Sequence, residues 1–197
     1  ANKTSASAAL HVDTGMNRLG ISTQDVGVLA SGPYKYLSLS LLMSHLACAE
    51  EVPHPLNRIQ LARFSNVLEV LRPNFRNGVA ASFANSSGIF LGSDFHFDLV
   101  RAGAALFGIN PIPSQANCMS EVLNLKAKII QVRRVDSPMT VGYGAAHRVK
   151  ESARIATVPV GYADGFIRSL GGRASAYVGS FCVPVIGRVS MDAITLD

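Results

Sequence analysis

Residues 37–83, LSLSLLMSHLACAEEVPHPLNRIQLARFSNVLEVLRPNFRNGVAASF, form the stretch of sequence that decides the fold class. Leu37 to Met43 and Gly78 to Phe83 are short apolar runs, each typical of a buried strand. Residues 55–71 between them predict a helix, because apolar side chains recur at three- and four-residue spacing and Pro73 ends the pattern. The apolar positions are Leu56, Ile59, Phe64, Val67, Leu68 and Leu71. Strand, helix and strand in this short succession predict a parallel sheet with helical crossovers.

The same alternation continues on both sides of this unit. Leu10 to Val12 predicts a strand, and Ser22, with Asp25 as its capping-box partner, predicts the start of a helix. Another strand is predicted within Leu99 to Phe107, which gives about four strands in all. The continuously apolar runs suit strands covered on both faces. Polar motifs follow successive strands, which favours a closed parallel barrel over an open sheet.

The pattern changes at Pro111-Ile112-Pro113, which indicates a linker. No helix is predicted beyond it. The predicted strands there are Val122 to Val135, Arg154 to Val160, Ala174 to Val178 and Phe181 to Ile186, and Gly179-Ser180 is a hairpin turn between the last two. We therefore predict a parallel α/β domain over residues 1–113 and an all-β domain over residues 114–197.

The composition excludes several classes of function. Hydrophobic residues make up 48% of the chain and charged residues 16%, as in a globular protein. The net charge of +5 is scattered, with its densest cluster at Arg133-Arg134, so a nucleic-acid-binding stripe is not expected. Three cysteines without a C-x-x-C pair favour reduced thiols in the cytoplasm over disulfides or a metal site. No apolar run has the length of a membrane span.

Three polar motifs of the first domain follow predicted strands, and each has two interpretations. Arg18, in DTGMNRLG, is either part of an ordinary loop or a guanidinium that holds an anionic oxygen. His45 is either structural or placed at a barrel's site face. Ser86, in ANSSG, belongs either to an ordinary turn or to a phosphate site, which needs hydroxyl and backbone N–H donors.

Three further motifs are equally open when each is taken alone. Arg101 is either a surface arginine or the neighbour of a ligand that the backbone of Gly103 and Ala104 approaches. Tyr143 and Tyr162 each lie in a glycine-containing segment, VGYGA and GYADG, which is typical of a turn with an exposed ring. Two such tyrosines within twenty residues also suggest a functional pair.

Taken together and in order, these motifs resemble the alanine racemase family. The matching segments run from Leu10 to Asp192 and are HVDTGMNRLG, LLMSHLACAEE, FANSSGIFLG, FDLVRAGAALFGINP, VGYGAAHR, ATVPVGYADG and GRVSMD. The resemblance implies the later strands of a parallel (β/α)8 TIM-type barrel, followed by a C-terminal β domain. It also implies racemisation of L- and D-alanine with pyridoxal 5′-phosphate (PLP) by two bases on opposite faces of the substrate.

The resemblance assigns roles to residues of this chain. Tyr143 matches the base that the partner subunit contributes, while His45 and Arg18 match residues of its environment, Arg18 also facing the substrate. Arg101 matches the contact to the pyridine nitrogen, where a permanently charged donor leaves no lone pair for a proton. The phosphate contacts match Ser86 and the backbone N–H groups of Gly103 and Ala104. Tyr162 and Met191 match positions near the substrate carboxylate and the site entrance.

Three departures from the family pattern stand out. The family's PLP-bearing lysine lies on a first barrel strand that has no match here, and a late phosphate-contacting tyrosine would lie beyond Asp197. His11 occupies the position of a lysine that many members carbamylate, so another group must orient Arg18. The lysines of this chain, none of which matches the anchor, are Lys3, Lys35, Lys126, Lys128 and Lys150. We therefore expect a fragment that is cut at both ends and inactive on its own.

The resemblance implies a cytoplasmic homodimer with shared active sites that supplies D-alanine for peptidoglycan, with no metal, nucleic-acid or membrane partner. Two alternatives remain at this point. One is a racemase for another small amino acid such as serine, which would need more room near Tyr162 and Met191. The other is a non-catalytic PLP-binding barrel protein, which would have little use for a tyrosine in the setting of Tyr143.

Overall fold

The structure, a computed structural model, describes residues 7–31, 38–75 and 78–197. The chain forms two compact units, residues 1–124 and 125–197. Leu37, the first residue of a predicted strand, and the lysines Lys3 and Lys35 lie outside the described residues. Within the described ranges, no helix has the length and apolar character needed to cross a membrane.

The first unit is built on a four-stranded parallel sheet, as predicted. Its strands are β1 (Ser7–Asp13), β2 (Ile21–Ser22), β3 (Ser38–Met43) and β4 (Ala80–Ser82). They are arranged in the order β2-β1-β3-β4, and every neighbouring pair is parallel. All four carboxyl ends therefore point to the same edge of the sheet, which is where such folds place their sites.

Helix α2 (Pro55–Leu71) has the predicted bounds. Pro55 fits the first helical turn, and the His54 ring accepts a hydrogen bond from the Leu56 N–H at 3.2 Å, which caps the helix. The helix buries Phe64 against the sheet, where its ring stacks on that of Phe83 with a 5.1 Å centroid distance. The surrounding core includes Val12, Leu42, Val67, Leu68, Leu71, Ala81 and Phe95.

One helix position differs from the prediction. Ile59 was expected in the core, but it is 45% exposed, while the polar residues Asn57 and Gln60 are buried. Apolar spacing alone places Ile59 on the inner face. The true inner face is rotated toward Gln60 because the amide of that residue finds hydrogen-bond partners in two neighbouring loops.

Two predicted elements of the first unit are wrong. Ser22 ends strand β2, where it pairs with Asp13, and helix α1 (Val26–Ser31) begins four residues later. The expected Ser22–Asp25 hydrogen bonds exist, but they close the turn between strand and helix. The strand expected within Leu99 to Phe107 is reduced to a single bridge between Leu99 and Ser82, and a 3₁₀ turn covers 104–107. Backbone N–H groups of this segment bind the Ser86 hydroxyl and so leave the ladder.

The second unit is antiparallel and all-β, as predicted. Its strands are β5 (Gln131–Val135), β6 (Thr140–Val141), β7 (His147–Arg148), β8 (Ala153–Val158), β9 (Ser175–Val178), β10 (Phe181–Ile186) and β11 (Ile194–Leu196). Five of them form a sheet in the order β5-β8-β11-β10-β9, and β6 pairs with β7. Among residues 125–197, all of which the structure describes, the helical elements are all short 3₁₀ turns.

The strand ends of the second unit follow from local chemistry. The hairpin predicted at Gly179-Ser180 is confirmed, since Val178 pairs with Phe181 across it. Strand β8 ends before Pro159, which has no N–H to give to a ladder. Strand β5 is shorter than the predicted run from Val122 to Val135. The core of the sheet contains Val158, Val160, Val185, Val189, Ile194 and Leu196.

Candidate active site

Side chains from three strand ends meet in the first unit. The buried hydroxyls of Thr14, after β1, and Ser44, after β3, lie 2.7 Å apart. Arg101 donates from Nη1 to the Ser82 hydroxyl at 2.5 Å and from Nη2 to the Ser44 carbonyl at 2.5 Å. The loops are thereby joined directly, as expected where parallel strands end at one edge.

Arg101 is the most constrained charged group of this edge. Its Nη2 also lies 3.4 Å from Nδ1 of His45, and burial lowers the pKa of the guanidinium. An arginine in a protein nevertheless stays protonated, and it has more N–H donors than these contacts use. Arg101 is therefore a fixed cation with donor capacity left for a ligand.

Arg18 and His45 belong to the same electrostatic environment. Burial lowers the pKa of His45, and the positive charges of Arg101 and Arg18, together with His11, lower it further. Burial also lowers the pKa of His11, followed by the charge of Arg101, and the buried Nδ1 of His11 has no hydrogen-bond partner among the residues that the structure describes. The four residues form a cationic cluster, defined here as His11, Arg18, His45 and Arg101.

Asp13 holds the loop that carries Arg18. Its carboxylate accepts from the backbone N–H groups of Gly15 at 2.8 Å, Met16 at 2.9 Å and Arg18 at 3.1 Å. Burial alone would raise the pKa of Asp13, but these backbone hydrogen bonds and one from Asn17 outweigh it and lower the pKa. The DTGMNRLG motif is thus a carboxylate-centred loop that projects Arg18.

The lowered pKa of His45 gives a testable pH dependence. A folded-state pKa below 6.5 means that the unfolded chain binds the proton more tightly, so His45 contributes stability above pH 6.5 that is lost as the pH falls toward the folded value. We expect the ring carbon resonance of His45 to titrate with a midpoint below 6.5 in the complete protein. A midpoint at or above 6.5 would contradict the cationic environment described for this residue.

Ser86 ties the loop after β4 to the segment beyond Arg101. Its hydroxyl oxygen accepts from the backbone N–H groups of Gly103 at 2.9 Å and Ala105 at 3.2 Å. The hydroxyl hydrogen is then left to donate elsewhere. The region around Gly103 is open, since a Cβ added there would meet no atom within 4 Å. This arrangement of donors beside open space suits an anionic group.

The second unit carries the remaining predicted site residues. Tyr143 is 71% exposed and lies between Gly142 and Gly144, whose φ angles of 79° and 67° favour glycine. A Cβ on Gly144 would lie 3.3 to 3.4 Å from Cζ and both terminal nitrogens of Arg188, so the guanidinium faces this glycine broadside. Arg188 therefore backs the loop that presents Tyr143.

Tyr162 and Met191 lie in two segments that are bonded to each other. Tyr162 donates its backbone N–H to Ser190 at 3.1 Å, and the N–H of Ala163 donates to Met191 at 2.8 Å. A Cβ on Gly161 would come within 2.4 Å of the Met191 carbonyl oxygen, so only glycine allows this approach. The segment 187–191 thus contacts both the Tyr143 loop and the Tyr162 loop.

Sequence reasoning missed the residues that brace these loops, above all Gln60, Thr14, Ser44 and Arg188. A signal for Gln60 exists in the sequence: Asn57, Gln60 and Phe64 follow one another at spacings of three and then four residues, the spacing of the buried helix face. A polar residue on such a face needs buried partners. Thr14, Ser44 and Arg188 carry no comparable signal, because their partners come from distant parts of the chain.

Comparison with known proteins gives consistent matches over the whole chain. Residues 1–111 match the family model "Alanine racemase, N-terminal domain", and residues 122–197 match "Alanine racemase, C-terminal domain". The alanine racemase of Rhodospirillum rubrum is 50% identical over 194 residues, covering 98% of this chain and 50% of that protein. That of Rhizobium meliloti is 45% identical over 201 residues, covering 95% and 52%.

Solved structures agree with these matches. The alanine racemase of Bartonella henselae with covalently bound pyridoxal phosphate has a TM-score of 0.84 at 37% identity, covering 97% of this chain and 52% of that one. The alanine racemase of Streptomyces coelicolor A3(2) has a TM-score of 0.88 at 30% identity, covering 96% and 52%. The chain spans about half the length of the curated relatives it matches. The predicted fold, part of a parallel barrel followed by a β domain, is confirmed by these matches.

Proposed function

The chain belongs to the alanine racemase family, and from this premise we propose that the protein it is part of interconverts L- and D-alanine with PLP as cofactor. The observation that carries the proposal is the fixed, half-buried guanidinium of Arg101 beside His45. It supplies a permanent cation at the sheet edge where a barrel enzyme holds its ligand. The proposed surroundings include Arg18 and the donor group at Ser86.

The residues of the first unit fit PLP both at its phosphate group and at its pyridine nitrogen. Ser86 offers its hydroxyl hydrogen, and the open region at Gly103 leaves room for a phosphate group beside it. The Gly103 N–H donates to Ser86 and would have to turn from that hydroxyl to contact the phosphate, with the Ala104 N–H as the further proposed donor. Arg101 would contact the pyridine nitrogen as a donor and exclude a proton from that atom. When bound, PLP withdraws the electron pair that is left at Cα of the amino acid after deprotonation.

The protein's own part in the reaction is proton transfer and orientation. We assign Tyr143 as the base on one face of the substrate, its phenol oxygen taking or returning the proton at Cα. A tyrosine acts as a base near neutrality only where positive charge close by stabilises its phenolate form. Arg18 would supply that positive charge and would also orient the substrate, and His45, whose pKa is lowered, would contribute to the environment as a neutral ring.

Tyr162 and Met191 are proposed to border the substrate and the site entrance. Their backbones are joined by the hydrogen bonds from Tyr162 to Ser190 and from Ala163 to Met191, which fixes the spacing of the two side chains. A fixed border of this kind selects substrates by size. Alanine is the proposed substrate, and a larger one such as serine would need room between these two residues.

The proposed assembly is a homodimer in which Tyr143 of each subunit completes the partner's barrel site. We further propose a cytoplasmic enzyme that supplies D-alanine for peptidoglycan. The boundary between the barrel and the β domain, proposed at residues 113 and 114, also stays a prediction.

The proposal is tested on the complete protein loaded with PLP. We expect L-alanine and D-alanine each to convert to the same equimolar mixture, since enantiomers have equal free energies, followed by circular dichroism and chiral chromatography. Conversion of serine in preference to alanine would move the assignment to a racemase for another small amino acid. If neither amino acid loses its optical activity, the protein is not a racemase of this kind, and a PLP-binding scaffold becomes the better description.

A further inference from the structure

We propose that Gln60 is a positioning residue that holds together the loop of Arg18 and the loop of His45. It would thereby set how closely the His45 ring approaches the guanidinium of Arg101. Gln60 lies on helix α2, outside the cationic cluster, and none of its contacts is to that cluster's charged groups. Its effect on catalysis rests on the proposed function, whereas its effect on loop geometry does not.

Every strong hydrogen-bonding group of the Gln60 amide has a partner in one of the two loops. The side chain is completely buried. Its carbonyl oxygen accepts from the Ala47 N–H at 2.9 Å, and its nitrogen donates to the His45 carbonyl at 2.9 Å and to the Thr14 hydroxyl at 3.1 Å. A single side chain thus bonds the backbone at His45 and at Ala47 and reaches across to the end of β1.

The hydrogen bonds continue from Gln60 to Arg101. The Thr14 hydroxyl lies 2.7 Å from that of Ser44, and the Ser44 carbonyl accepts from Arg101. Arg63, one turn further along α2, donates to the Thr14 carbonyl at 2.9 Å. Side chains of helix α2 therefore form hydrogen bonds with the Arg18 loop at Thr14 and with the backbone of the His45 loop at residues 45 and 47.

The chemistry of this position calls for an amide. A glutamate would have no N–H for the His45 carbonyl, and its charge would be buried without a cationic partner among the contacts of Gln60. An apolar side chain of the same length would leave the Ala47 N–H and the His45 carbonyl without partners in the interior, which favours movement of the loop toward water. Either change should loosen residues 44–47 while the apolar core under α2 remains.

Asn57 provides a matched control on the same helix. It is also a buried amide, but its nitrogen donates to the Glu51 carbonyl at 3.0 Å, in the connection that leads into α2. A substitution there removes a buried hydrogen bond of similar kind without touching Thr14, His45 or Ala47. Asn57→Leu therefore measures the cost of losing a buried amide of α2 that makes one hydrogen bond, since its Oδ1 has no partner among the described residues.

The experiment compares Gln60→Met and Asn57→Leu in the complete protein by two measurements that do not depend on activity. These are the hydrogen exchange rate of the Ala47 amide and the titration of the His45 ring, which faces Arg101, Arg18 and His11. In Gln60→Met we expect Ala47 to exchange at least about tenfold faster and the His45 midpoint to rise toward 6.5. Asn57→Leu should leave both values near those of the unaltered protein.

Unchanged values in folded Gln60→Met would overturn the proposal, and so would equal changes in Asn57→Leu, because the effect would then be structural only. If Gln60→Met does not fold, Thr14→Val removes one of the three bonds of Gln60 together with the Thr14–Ser44 hydrogen bond and should shift both values in the same direction; no shift there overturns the proposal as well.

Activity provides a separate comparison. If the protein racemises alanine, kcat of Gln60→Met should fall roughly ten- to a hundredfold with little change in KM, as expected for displaced catalytic groups. A folded variant with unaltered kcat overturns the catalytic part. If the protein proves not to be a racemase, the exchange and titration results still decide the positioning role.

Discussion

Racemisation by the Tyr143→Phe protein is expected to be roughly a hundred- to ten-thousandfold slower than normal, the range that a positioned proton-transfer group contributes. The change removes one oxygen atom from a ring that is 71% exposed, so the fold should be unaffected. Phenylalanine cannot exchange a proton at Cα, and the opposite base cannot serve both faces of the substrate. The measurement is kcat from L-alanine and from D-alanine, with thermal unfolding to confirm that stability is retained.

Tyr177→Phe is the matched control for this variant. Tyr177 lies in the same unit, in strand β9, and is 73% exposed. It should racemise alanine at the normal rate. If Tyr143→Phe keeps more than about a tenth of the normal kcat, the assignment of Tyr143 as a base is wrong, because general acid–base catalysis is worth more than that.

The same variant also tests whether the site is shared between subunits. Mixing Tyr143→Phe with an inactive Arg101 variant, under conditions that allow subunit exchange, produces heterodimers. If Tyr143 acts on the partner's barrel, one site of each heterodimer contains only normal residues, and about a quarter of the activity should return in an equal mixture. Confirmed heterodimers without activity would mean that Tyr143 acts within its own subunit or is not the base.

Arg101→Met is expected to lower the free energy of unfolding by about 2 to 4 kcal/mol, because it leaves buried acceptors without donors. The Ser44 carbonyl and the Ser82 hydroxyl each lose a hydrogen bond, and the Thr14–Ser44 contact loses its support. The pKa of His45 should rise, since Arg101 lowers it more than any other charged group does. Denaturant unfolding and titration of the His45 ring measure the two effects.

Two further variants serve as comparisons for Arg101→Met: one removes an exposed arginine, and the other keeps the charge at position 101 but changes its geometry. Arg58→Met removes an exposed arginine that pairs with Asp94 at 3.1 Å, and such pairs contribute about 1 kcal/mol or less. Arg101→Lys keeps the positive charge but cannot reproduce the forked contact to Ser82 and Ser44. We expect Arg101→Lys to keep most of the lowering of the His45 pKa. We expect it to recover little of the stability that Arg101→Met loses. An Arg101→Met protein as stable as Arg58→Met would show that the buried contacts contribute little.

Much of the fold could be predicted because strong local signals agree with the tertiary structure. Pro55 and Pro73 delimit α2, and the two-residue turn at Gly179-Ser180 delimits a hairpin. The failures occur where tertiary contacts decide. Residues 99–107 look like a strand by composition, yet the Ser86 hydroxyl draws two of their N–H groups out of the ladder. Gln60 has a polar side chain, and a polar residue type alone predicts an exposed position, yet partners in two loops allow its burial.

The candidate site shows the same division. Arg18, His45, Ser86 and Arg101 could be named from motifs after strands, and the structure brings them to one edge of the first unit. Tyr162 and Met191 could be named from motifs as well, and their segments are bonded within the second unit. The hydrogen bonds that fix these residues join positions far apart in sequence, such as Thr14 with Gln60. Single-sequence patterns hold no information on such pairs, so the roles of the site residues stay predictions.

For the proposed racemase, the close approach of Gly161 to Met191 limits how the substrate range can be altered by engineering. A variant library that includes position 161 would return glycine almost exclusively, since a single added carbon would displace the Met191 carbonyl and the Asp192 N–H together. The side chains of Tyr162 and Met191, in contrast, are largely outside the packed interior and can be varied without disturbing that backbone contact. Attempts to admit bulkier amino acids should therefore randomise Tyr162 and Met191 and keep Gly161 unchanged.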